Sequence, residues 1–438
     1  MMIHALEEIF GDFYAHGIPN DIKPRQVDYL EKRQSVTVVT GMRRTGKTYV
    51  TYQRMRELLA SGIPLERIVH VNFEDERLRN LKVDDLHLIS DLHAKMFPNA
   101  ANEKCWYFLD ELQIVEGWEL YARRLLDSQL VQLCLTGSSS RLLSHEIATE
   151  MRGRSFETEV FPLSFPETLV FNGLIKEIPR PPFSSRTAGA LRNAMENYLE
   201  KGGFPDIQGD SDRIRVKTLQ EYVDAVVFRD VIERFEIPSI QALSYTLHYL
   251  INNYARKLST RAIAGVLKQN GLSGNRENIA DYIDHFKNAY LVYPVQLRTD
   301  SLSVRNTNPN KYYLVDTGLI RAMTPKNDAE KGWLLENLVF ITLRRGFNKI
   351  EYFNTKCGSE IDFYVTDRLT KRCRLLQVSW EISDEKTFQR EISAMRTARQ
   401  ETGITDCVIV TWDNEMETDD GIRIVPVWKW TLEEETMR

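Results

Sequence analysis

The chain has 438 residues, of which 42% are apolar and 27% are charged, so it has the balance of a globular protein and enough length for two or three hydrophobic cores. Its net charge of −5 argues against a chain that coats a phosphate backbone over its whole surface, although one basic face remains compatible with it. The longest apolar runs have strand length, the first residues lack a signal-peptide pattern and the five cysteines have no ligand spacing, which predicts a cytoplasmic protein without a membrane span.

The apolar run Val36-Thr37-Val38-Val39 predicts a buried strand. The eight residues that follow Thr40 have the spacing of a phosphate-binding loop, or P-loop: Gly41, Met42, Arg43, Arg44, Thr45, Gly46, Lys47 and Thr48. Side chains at the two glycine positions would obstruct the backbone N–H groups that wrap around a triphosphate. Lys47 is predicted to reach the β- and γ-phosphates and Thr48 to bind Mg²⁺, at the positive N-terminus of a helix. The motif therefore predicts ATP and Mg²⁺ as ligands.

A second apolar run, residues 106–109, ends in the carboxylates Asp110 and Glu111. Such a strand completes the nucleotide site of many P-loop proteins. Asp110 is predicted to hold the shell of Mg²⁺, and Glu111 to orient and deprotonate the water that attacks the γ-phosphate. The alternative is that the two acids only solvate a strand end.

A third run, residues 131–136, leads into Gly137 and a group of serines that begins with Ser138. A hydroxyl at this strand tip is suited to sense the γ-phosphate, whereas the alternative is a Ser-rich turn, which these residues favour in any protein. Further along the chain, Arg152 and Arg154 flank a glycine. Arginine can stabilise the charge that develops in phosphoryl transfer, from the same subunit or from a neighbour. The alternative for both arginines is a solvated surface.

Strand-length runs alternate with helical stretches in this region, which predicts a doubly wound parallel sheet. Strands are expected near residues 36–40, 68–73, 106–109, 131–136 and 157–160, with helices near 48–61 and 118–129. Because the carboxyl ends of the strands share one edge, Lys47, Asp110 and Ser138 are expected to line one crevice. Glu74 and Asp75 are candidates for positioning water there, or are simply polar residues that follow a strand.

The order of these motifs resembles that of a prokaryotic family of AAA+ ATP-binding proteins with a conserved C-terminal domain of unassigned function. Besides the P-loop, the acid pair and the serines, the resemblance rests on Gly117-Trp118-Glu119, Arg152-Gly153-Arg154, Phe161-Pro162-Leu163-Ser164-Phe165, Gly202-Gly203-Phe204-Pro205, Phe228-Arg229-Asp230-Val231, residues 311–319 and Gly358-Ser359-Glu360-Ile361-Asp362-Phe363. The resemblance covers most of the chain and implies an ATPase core, while the biological task of the family is poorly defined.

Residues 178–185 are rich in Pro and Ser and predict a linker, after which the chain is expected to be helical to about residue 293. Two short helices follow Ser259 and residues 271–273, and a hairpin is expected between residues 289–292 and 312–315. This order suggests a winged helix, which is compatible with DNA binding, with docking to protein or with a purely intramolecular role.

The recognition-helix position has a mixed charge. Asn275 and Arg276 are suited to read base edges, but Asp281 and Asp284 would repel phosphates. The basic residues expected to compensate, if hairpin and helix share a face, are Lys257, Arg261, Arg298, Arg305 and Lys311, with Lys287 at the helix end.

The last hundred residues predict a helix that contains Glu336, strands near 350–354, 360–365 and 374–378, a helix over 385–400 and a strand over 407–411. This order is similar to the restriction-endonuclease-like fold, whose active members hold Mg²⁺ with an acid on the second strand and an acid and a lysine on the third. Asp362 matches the first acid, but Gln377 and Ser379 replace the pair. One metal-ligand charge and the activating ammonium are therefore expected to be missing, and we expect no cleavage even if Glu336 and Glu360 substitute in part. The expectation is a degenerate domain with a structural or nucleic-acid-docking role.

The sequence thus predicts an AAA+ P-loop ATPase domain in residues 1–175, a helical and winged-helix domain in 190–328 and a restriction-endonuclease-like α/β domain in 329–438. The expected function is Mg²⁺-dependent ATP binding and hydrolysis, used as a switch or motor on a macromolecule. DNA, a protein partner and further copies of the chain are the candidate partners. The alternatives are a binding module with negligible turnover and an ATP-gated nuclease, which the missing acid and lysine disfavour.

Overall fold

The computed structural model describes residues 2–27, 29–32, 34–128, 130–138, 153–325, 330–367 and 369–436. The chain divides into two compact units. The N-terminal unit comprises Met1–Phe161 and Asn288–Tyr290, and the C-terminal unit comprises Pro162–Lys287 and Leu291–Arg438. The finer division into three domains stays a prediction. All five cysteines are free, and no helix in the described ranges is long and apolar enough to cross a membrane.

A five-stranded parallel sheet forms the centre of the N-terminal unit. Its strands are β1 (Val36–Thr40), β2 (Ile68–Asn72), β3 (Cys105–Asp110), β4 (Val131–Gly137) and β5 (Ser155–Glu159). The spatial order is β2-β3-β4-β1-β5, and every neighbouring pair is parallel. The predicted parallel sheet is confirmed. Strand β5 begins at Ser155 rather than near residue 157, because this edge strand is mostly half-buried or exposed and its apolar pattern is weak.

Helices pack on both faces of this sheet. They are α1 (Met2–His16), α2 (Lys47–Ala60), α3 (His87–Met96) and α4 (Glu119–Asp127). One core cluster joins Val38 of β1 with Leu6 of α1 and Ile89 of α3, and another joins Val39 of β1 with Met55 of α2. Successive residues of a strand point to opposite faces, so a sheet covered on both sides needs unbroken apolar strands. This requirement explains the continuous apolar runs in the sequence.

The C-terminal unit begins with a series of helices: α5 (Phe165–Phe171), α6 (Ser185–Lys201), α7 (Asp212–Ala225), a π-helix (Val226–Ile232), α8 (Ile240–Asn252), α9 (Thr260–Gln269) and α10 (Arg276–Asn288). Four of the α-helices start at a serine whose hydroxyl accepts a hydrogen bond from a backbone N–H three residues ahead: Ser164, Ser184, Ser239 and Ser259. Such caps satisfy N–H groups that the helix itself leaves unbonded. Local polar residues therefore set where these helices begin.

A small antiparallel sheet follows α8 and α10. Its strands β6 (Lys257–Leu258), β7 (Val292–Val295) and β8 (Asn310–Leu314) have the order β6-β8-β7, and α11 (Leu302–Thr307) lies between β7 and β8 in the chain. The predicted order of helices and hairpin is present, while the assignment as a winged helix stays a prediction. Strand β7 begins later than residue 289 because Tyr290 has a left-handed backbone, with φ of 56°, which a strand cannot continue.

Most basic residues expected near this hairpin are bound to carboxylates. Lys257 pairs with Glu360, and Arg298 and Arg305 both pair with Glu351. Lys311 is 3% exposed, so the expectation that it adds to a DNA-binding surface is wrong: its strand turns the ammonium into the protein. Arg261 and Lys287 are exposed.

The last part of the C-terminal unit is built on a six-stranded mixed sheet. In chain order its elements are α12 (Thr317–Met323), α13 (Lys331–Gly346), β9 (Lys349–Asn354), β10 (Glu360–Thr366), β11 (Cys373–Ser379), α14 (Glu385–Thr402), β12 (Cys407–Thr411), β13 (Met416–Glu417), β14 (Arg423–Pro426) and α15 (Val427–Thr436). The strand order is β13-β14-β12-β11-β10-β9. Strands β9 to β11 pair antiparallel, and β12 pairs parallel with both β11 and β14. The helices and strands expected up to Thr411 are present. The similarity to the restriction-endonuclease-like fold stays a prediction.

A tight backbone crossing holds together three segments of the C-terminal unit. The N–H of Gly203 donates to Asp316 Oδ2 at 2.7 Å, and its carbonyl accepts from the N–H of Leu163 at 2.6 Å. Asp316 also caps α12 by accepting from the N–H of Leu319 at 3.1 Å. A Cβ atom on Gly203 would lie 2.1 Å from the carbonyl oxygen of Leu163. The motifs that contain Leu163, Gly203 and Asp316, which the sequence singles out without a role, therefore meet here.

We expect Gly203→Ala to destabilise the protein by about 1–3 kcal/mol, because the new methyl group meets a backbone oxygen that cannot rotate away. The measurement is the urea midpoint and the melting temperature of the full chain. Gly189→Ala is the matched control: Gly189 lies within α6, and a Cβ there meets nothing within 4 Å, so it should be neutral or slightly stabilising. Equal melting temperatures for the two variants would contradict the role given to the crossing.

Candidate nucleotide site

The P-loop lies between β1 and α2, at the carboxyl edge of the N-terminal sheet. Gly41 and Gly46 have positive φ angles, 137° and 94°, which favour glycine. A Cβ atom on Gly41 would also lie 2.2 Å from the carbonyl oxygen of Val160. Glycine at position 41 is therefore needed for close packing of the loop against the segment after β5, besides the approach of a phosphate that the sequence predicts.

Short-range hydrogen bonds shape the loop from within. Thr45 Oγ1 donates to the carbonyl of Met42 at 2.9 Å, and the ammonium of Lys47 donates to the carbonyls of Gly41 and Met42, both at 3.2 Å. Helix α2 starts at Lys47, and in the described chain no side chain caps it at Gly46. The first N–H groups of the helix thus face the loop, where an anion can bind them.

A buried arginine outside the motif supports the loop from behind. The guanidinium of Arg25 donates to the carbonyls of Thr45 at 2.9 Å and Phe161 at 2.8 Å. Arg25 is 8% exposed, and Gln53 of α2 accepts from its backbone N–H at 2.8 Å. Arg25 therefore connects the loop, α2 and the segment after β5 within the N-terminal unit.

The acid of β3 and the last residue of the P-loop meet directly. Thr48 Oγ1 donates to Asp110 Oδ2 at 2.7 Å, and Thr136 of β4 donates to Asp110 Oδ1. The hydroxyl of Thr136 in turn accepts from the backbone N–H of Glu111 at 3.1 Å. A hydroxyl and a carboxylate oxygen side by side suit Mg²⁺, whose other ligands are commonly waters and phosphates. Among the described residues, no group of three or more His, Cys, Asp or Glu side chains is arranged to hold a metal ion.

Glu111 lies just beyond Asp110 in a left-handed conformation, with φ of 57°. Its carboxylate accepts a hydrogen bond from the amide of Gln113 and lies 4.0 Å from the ammonium of Lys47. Burial raises the pKa of Glu111; the charge of Lys47 opposes the rise and that of Asp110 adds to it. A buried carboxylate with a raised pKa beside the lysine of the P-loop has properties that suit a general base.

The remaining candidates occupy different positions. Ser138 is buried directly after β4. Glu74 reaches the P-loop, where it pairs with Arg43 at 2.9 Å, whereas Asp75 accepts from Arg77 and caps a short helical turn. Arg154 pairs with Asp127 of the same chain at 3.1 Å. Arg152 and the serines after Ser138 lie outside the described residues.

The sequence interpretation missed three supporting residues: Thr136, Gln113 and Arg25. For Thr136 a signal exists, since it pairs with Asp110 in the register of β3 and β4, and a hydroxyl next to a metal-binding acid is a reasonable expectation once the strands are aligned. Gln113 and Arg25 carry no spacing that identifies them. Their partners are known only from the folded chain.

A parallel sheet of this order, with a P-loop after β1 and an acid pair after β3, is that of an AAA-type P-loop ATPase domain. Residues 33–169 match the family model described as AAA domain, and residues 192–330 match a domain of unknown function, DUF8612. An uncharacterized protein of Methanocaldococcus jannaschii is 34% identical over 411 residues, which are 91% of this chain and 88% of that protein. One of Haemophilus influenzae is 28% identical, over 93% and 97% of the two chains. The chain thus belongs to a prokaryotic family of AAA ATP-binding proteins with a C-terminal domain of unknown function.

Solved structures show more distant likeness. The Walker-type ATPase of Pyrococcus abyssi matches with a TM-score of 0.41 and 12% identity, over 66% of this chain and 90% of its own. The ORC1 protein of Aeropyrum pernix, solved in complex with DNA, matches with a TM-score of 0.30 and 15% identity, over 73% and 91%.

We expect Thr136→Val to lower stability by about 1–3 kcal/mol, because the buried Asp110 carboxylate loses a donor. The N–H of Glu111 loses the hydroxyl but keeps the carbonyl of residue 136, at 3.2 Å, as an acceptor. Thr136→Ser, which keeps the hydroxyl, is the control and should stay much closer to the native protein. The measurement is the urea midpoint of the nucleotide-free chain. A valine variant as stable as the serine variant would show that the hydroxyl contributes little.

Proposed function

We propose that the chain binds ATP with Mg²⁺ at the P-loop and hydrolyses it, with Glu111 as the general base. The observation that carries this proposal is the contact between Thr48 and Asp110, with Glu111 placed 4.0 Å from Lys47. These side chains supply a metal-binding pair, a phosphate-binding cation and a proton acceptor on one edge of the sheet. Phosphoryl transfer requires these three elements.

In this mechanism the first turn of α2 and Lys47 bind the phosphates and neutralise part of their charge. Mg²⁺, held by Thr48 and Asp110, would supply further positive charge to the transferring group. Glu111 accepts a proton from water as the water oxygen forms a bond to the γ-phosphorus. The bond from that phosphorus to the β,γ-bridging oxygen breaks, and ADP departs with the electron pair.

The contacts of Glu111 also favour a second candidate function. Its carboxylate is bound to Gln113 and lies beside Lys47, so it must leave these partners to accept a proton from water. If that release is rare, the protein holds ATP with little turnover and acts as a nucleotide-dependent binding module. Either function uses the same nucleotide site, and the rate of hydrolysis separates them.

We expect Lys47→Ala to abolish ATP binding, because the lysine neutralises phosphate charge in the ground state. Glu111→Gln should retain binding and lower the turnover rate about 10²–10⁴-fold, since the glutamate acts only on the water. Fluorescent-nucleotide titration measures binding, and phosphate release measures turnover. Native turnover in Glu111→Gln would remove Glu111 as the base. Tight ATP binding by the native chain with no measurable phosphate release would favour the binding module.

The raised pKa of Glu111 gives a pH dependence. The base must be ionised, so turnover should fall as the pH decreases through the pKa of Glu111. Because burial raises that pKa, the fall should be centred above pH 4.5, the ordinary value for glutamate. The measurement is the turnover rate at saturating ATP across pH, with ATP binding followed over the same range as the control. A fall that follows loss of binding would not report on Glu111.

We propose that the nucleotide state acts on a macromolecular partner in the cytoplasm, as a switch or motor. On α10, Arg276 is exposed together with Glu277, Asp281 and Asp284, so acids outnumber the cation at the N-terminal and central turns of this helix. Acids placed near phosphates repel them. This charge pattern favours a protein partner, or further copies of the chain, over duplex DNA. A contribution of Arg152 or Arg154 to a neighbouring subunit's site belongs to the same proposal, and for Arg154 it would require release from Asp127.

A further inference from the structure

A compact cluster of charged side chains lies inside the C-terminal unit, where β8, α13 and β10 meet. The ammonium of Lys311 on β8 lies 2.8 Å from Glu336 Oε1, 2.6 Å from Glu360 Oε1 and 2.8 Å from Asp362 Oδ1. Glu336 belongs to α13, while Glu360 and Asp362 are two residues apart on β10 and share one face. An ammonium has three N–H donors. In Lys311 each of the three is matched to a carboxylate oxygen.

The side chains around this centre are also bonded elsewhere. The hydroxyl of Tyr313 donates to Glu336 Oε1 at 2.6 Å, and the backbone N–H of Val378 donates to Asp362 Oδ2 at 2.9 Å. Both oxygens of Asp362 are therefore in use, one on Lys311 and one on Val378.

Gln377 and Ser379 occupy the positions where a metal-binding acid and a lysine would be expected. Gln377 Oε1 accepts from the backbone N–H of Asp362 at 3.1 Å, and Ser379 Oγ donates to the carbonyl of Glu381 at 3.2 Å. Both side chains are thus directed to backbone groups. The sequence predicts that no ammonium lies next to Asp362. This prediction is wrong, because Lys311 supplies an ammonium from a different strand.

The charges of the cluster nearly balance. Lys311 and Lys257, which contacts Glu360, face three carboxylates. Burial, and then the charge of Asp362, raise the pKa of Glu336 to about 7. Although burial opposes it, the carboxylates hold the pKa of Lys311 well above its ordinary value, so Lys311 stays charged. The five groups are neutral when Glu336 carries a proton.

We propose that Lys311 is a built-in cation that occupies a divalent-metal position among Glu336, Glu360 and Asp362, and so keeps the C-terminal sheet metal-free and inactive in phosphodiester cleavage. Carboxylate oxygens that converge on one point are the ligands that Mg²⁺ and Mn²⁺ prefer. Here the ammonium fills that point and saturates them, and as the described residues stand, no group of three or more His, Cys, Asp or Glu side chains could hold a metal ion. The lysine also binds β8 to α13 and β10, in addition to the backbone bridge between residues 296–298 and β9.

Metal binding is expected only when Lys311 is removed. As long as Lys311 is present, a metal must displace a buried ammonium with three acceptors. Once the ammonium is removed, three carboxylates face one another without their main counter-charge, and a divalent cation becomes the favoured partner. The native chain should therefore ignore metals at this place, and a variant without the charge should bind one.

The test uses the full, nucleotide-free chain carrying Lys311→Met, which keeps most of the apolar stem and leaves the position of the ammonium empty. In EDTA its melting temperature should fall by about 10 °C, because the buried carboxylates of Glu336 and Asp362 and the partly exposed one of Glu360 lose the charge of Lys311. With 1 mM MnCl₂ most of that loss should be recovered, while the native protein shows no shift between EDTA and MnCl₂. A direct Mn²⁺ titration should find one additional site per chain in the variant.

Two controls separate this effect from a general loss of structure. Lys257→Met removes the partly exposed lysine that pairs with Glu360, donates to Asn354 and lies over the ring of Tyr352. It should neither lower the melting temperature as much nor create a metal site. Adding Asp362→Asn to Lys311→Met should remove the recovery by Mn²⁺. If Lys311→Met alone does not fold, the combination with Glu336→Gln should restore folding, because it leaves fewer uncompensated charges. A double variant that does not fold, or a folded variant whose melting temperature does not change with Mn²⁺, contradicts the proposal.

A DNA-cleavage assay on the native chain tests whether the cluster around Lys311 is an active site. Linear and single-stranded DNA are incubated with the native chain and Mn²⁺, with Lys47→Ala as a variant that lacks nucleotide binding. No cleavage is expected. Cleavage that survives in Lys47→Ala but disappears in Lys311→Met and in Asp362→Asn would overturn the proposal and make Lys311 part of a working nuclease site.

Discussion

Buried carboxylates need a nearby counter-charge or strong hydrogen-bond donors, and both units of this chain depend on that constraint. In the N-terminal unit, Asp110 is bound by two threonine hydroxyls and Glu111 lies near Lys47. In the C-terminal unit, Lys311 faces three carboxylates. Removing one partner leaves the other charge buried without solvent or counter-charge, which lowers the stability of the fold strongly. Replacing both partners by apolar residues has a much smaller effect on stability. The chain therefore brings its strands together at places where these partners coincide.

The parts that sequence predicts well are governed by short-range rules. A parallel strand buried on both faces must be apolar along its length, so β1, β3 and β4 are visible as apolar runs. The P-loop is equally local: a fixed spacing of glycines, Lys47 and Thr48 creates its shape and its ligand groups within eight residues. The acid pair after β3 follows from its position at a strand end. Family, fold class and the main elements of the nucleotide site are predictable for these reasons.

The remaining features depend on contacts between distant segments. Arg25 supports the P-loop from an extended segment with no periodicity. In α15 the buried residues include Glu434 and Glu435, so polarity along the sequence does not show which face of this helix packs inward. Strand β7 starts late because of one left-handed residue, Tyr290. The sequence of β11 shows that Ser379 stands where a lysine would be expected. It cannot show that Lys311 brings an ammonium next to Asp362 from another strand, β8. The residue pattern of one strand does not indicate which charged side chain a neighbouring strand places beside it.

The two lysines differ in how firmly they are held, and this difference indicates which unit can respond to a ligand. Lys47 donates to two neutral carbonyls at 3.2 Å and lies 4.0 Å from Glu111, so it can exchange these partners for phosphate oxygens at small cost. Lys311 is held by three carboxylates at 2.6–2.8 Å, and no anionic ligand can offer it a better set. A ligand shifts a protein only through its different affinity for two states. The exchangeable ammonium of the P-loop fits a nucleotide-responsive element, while the saturated one fits a fixed part of the structure.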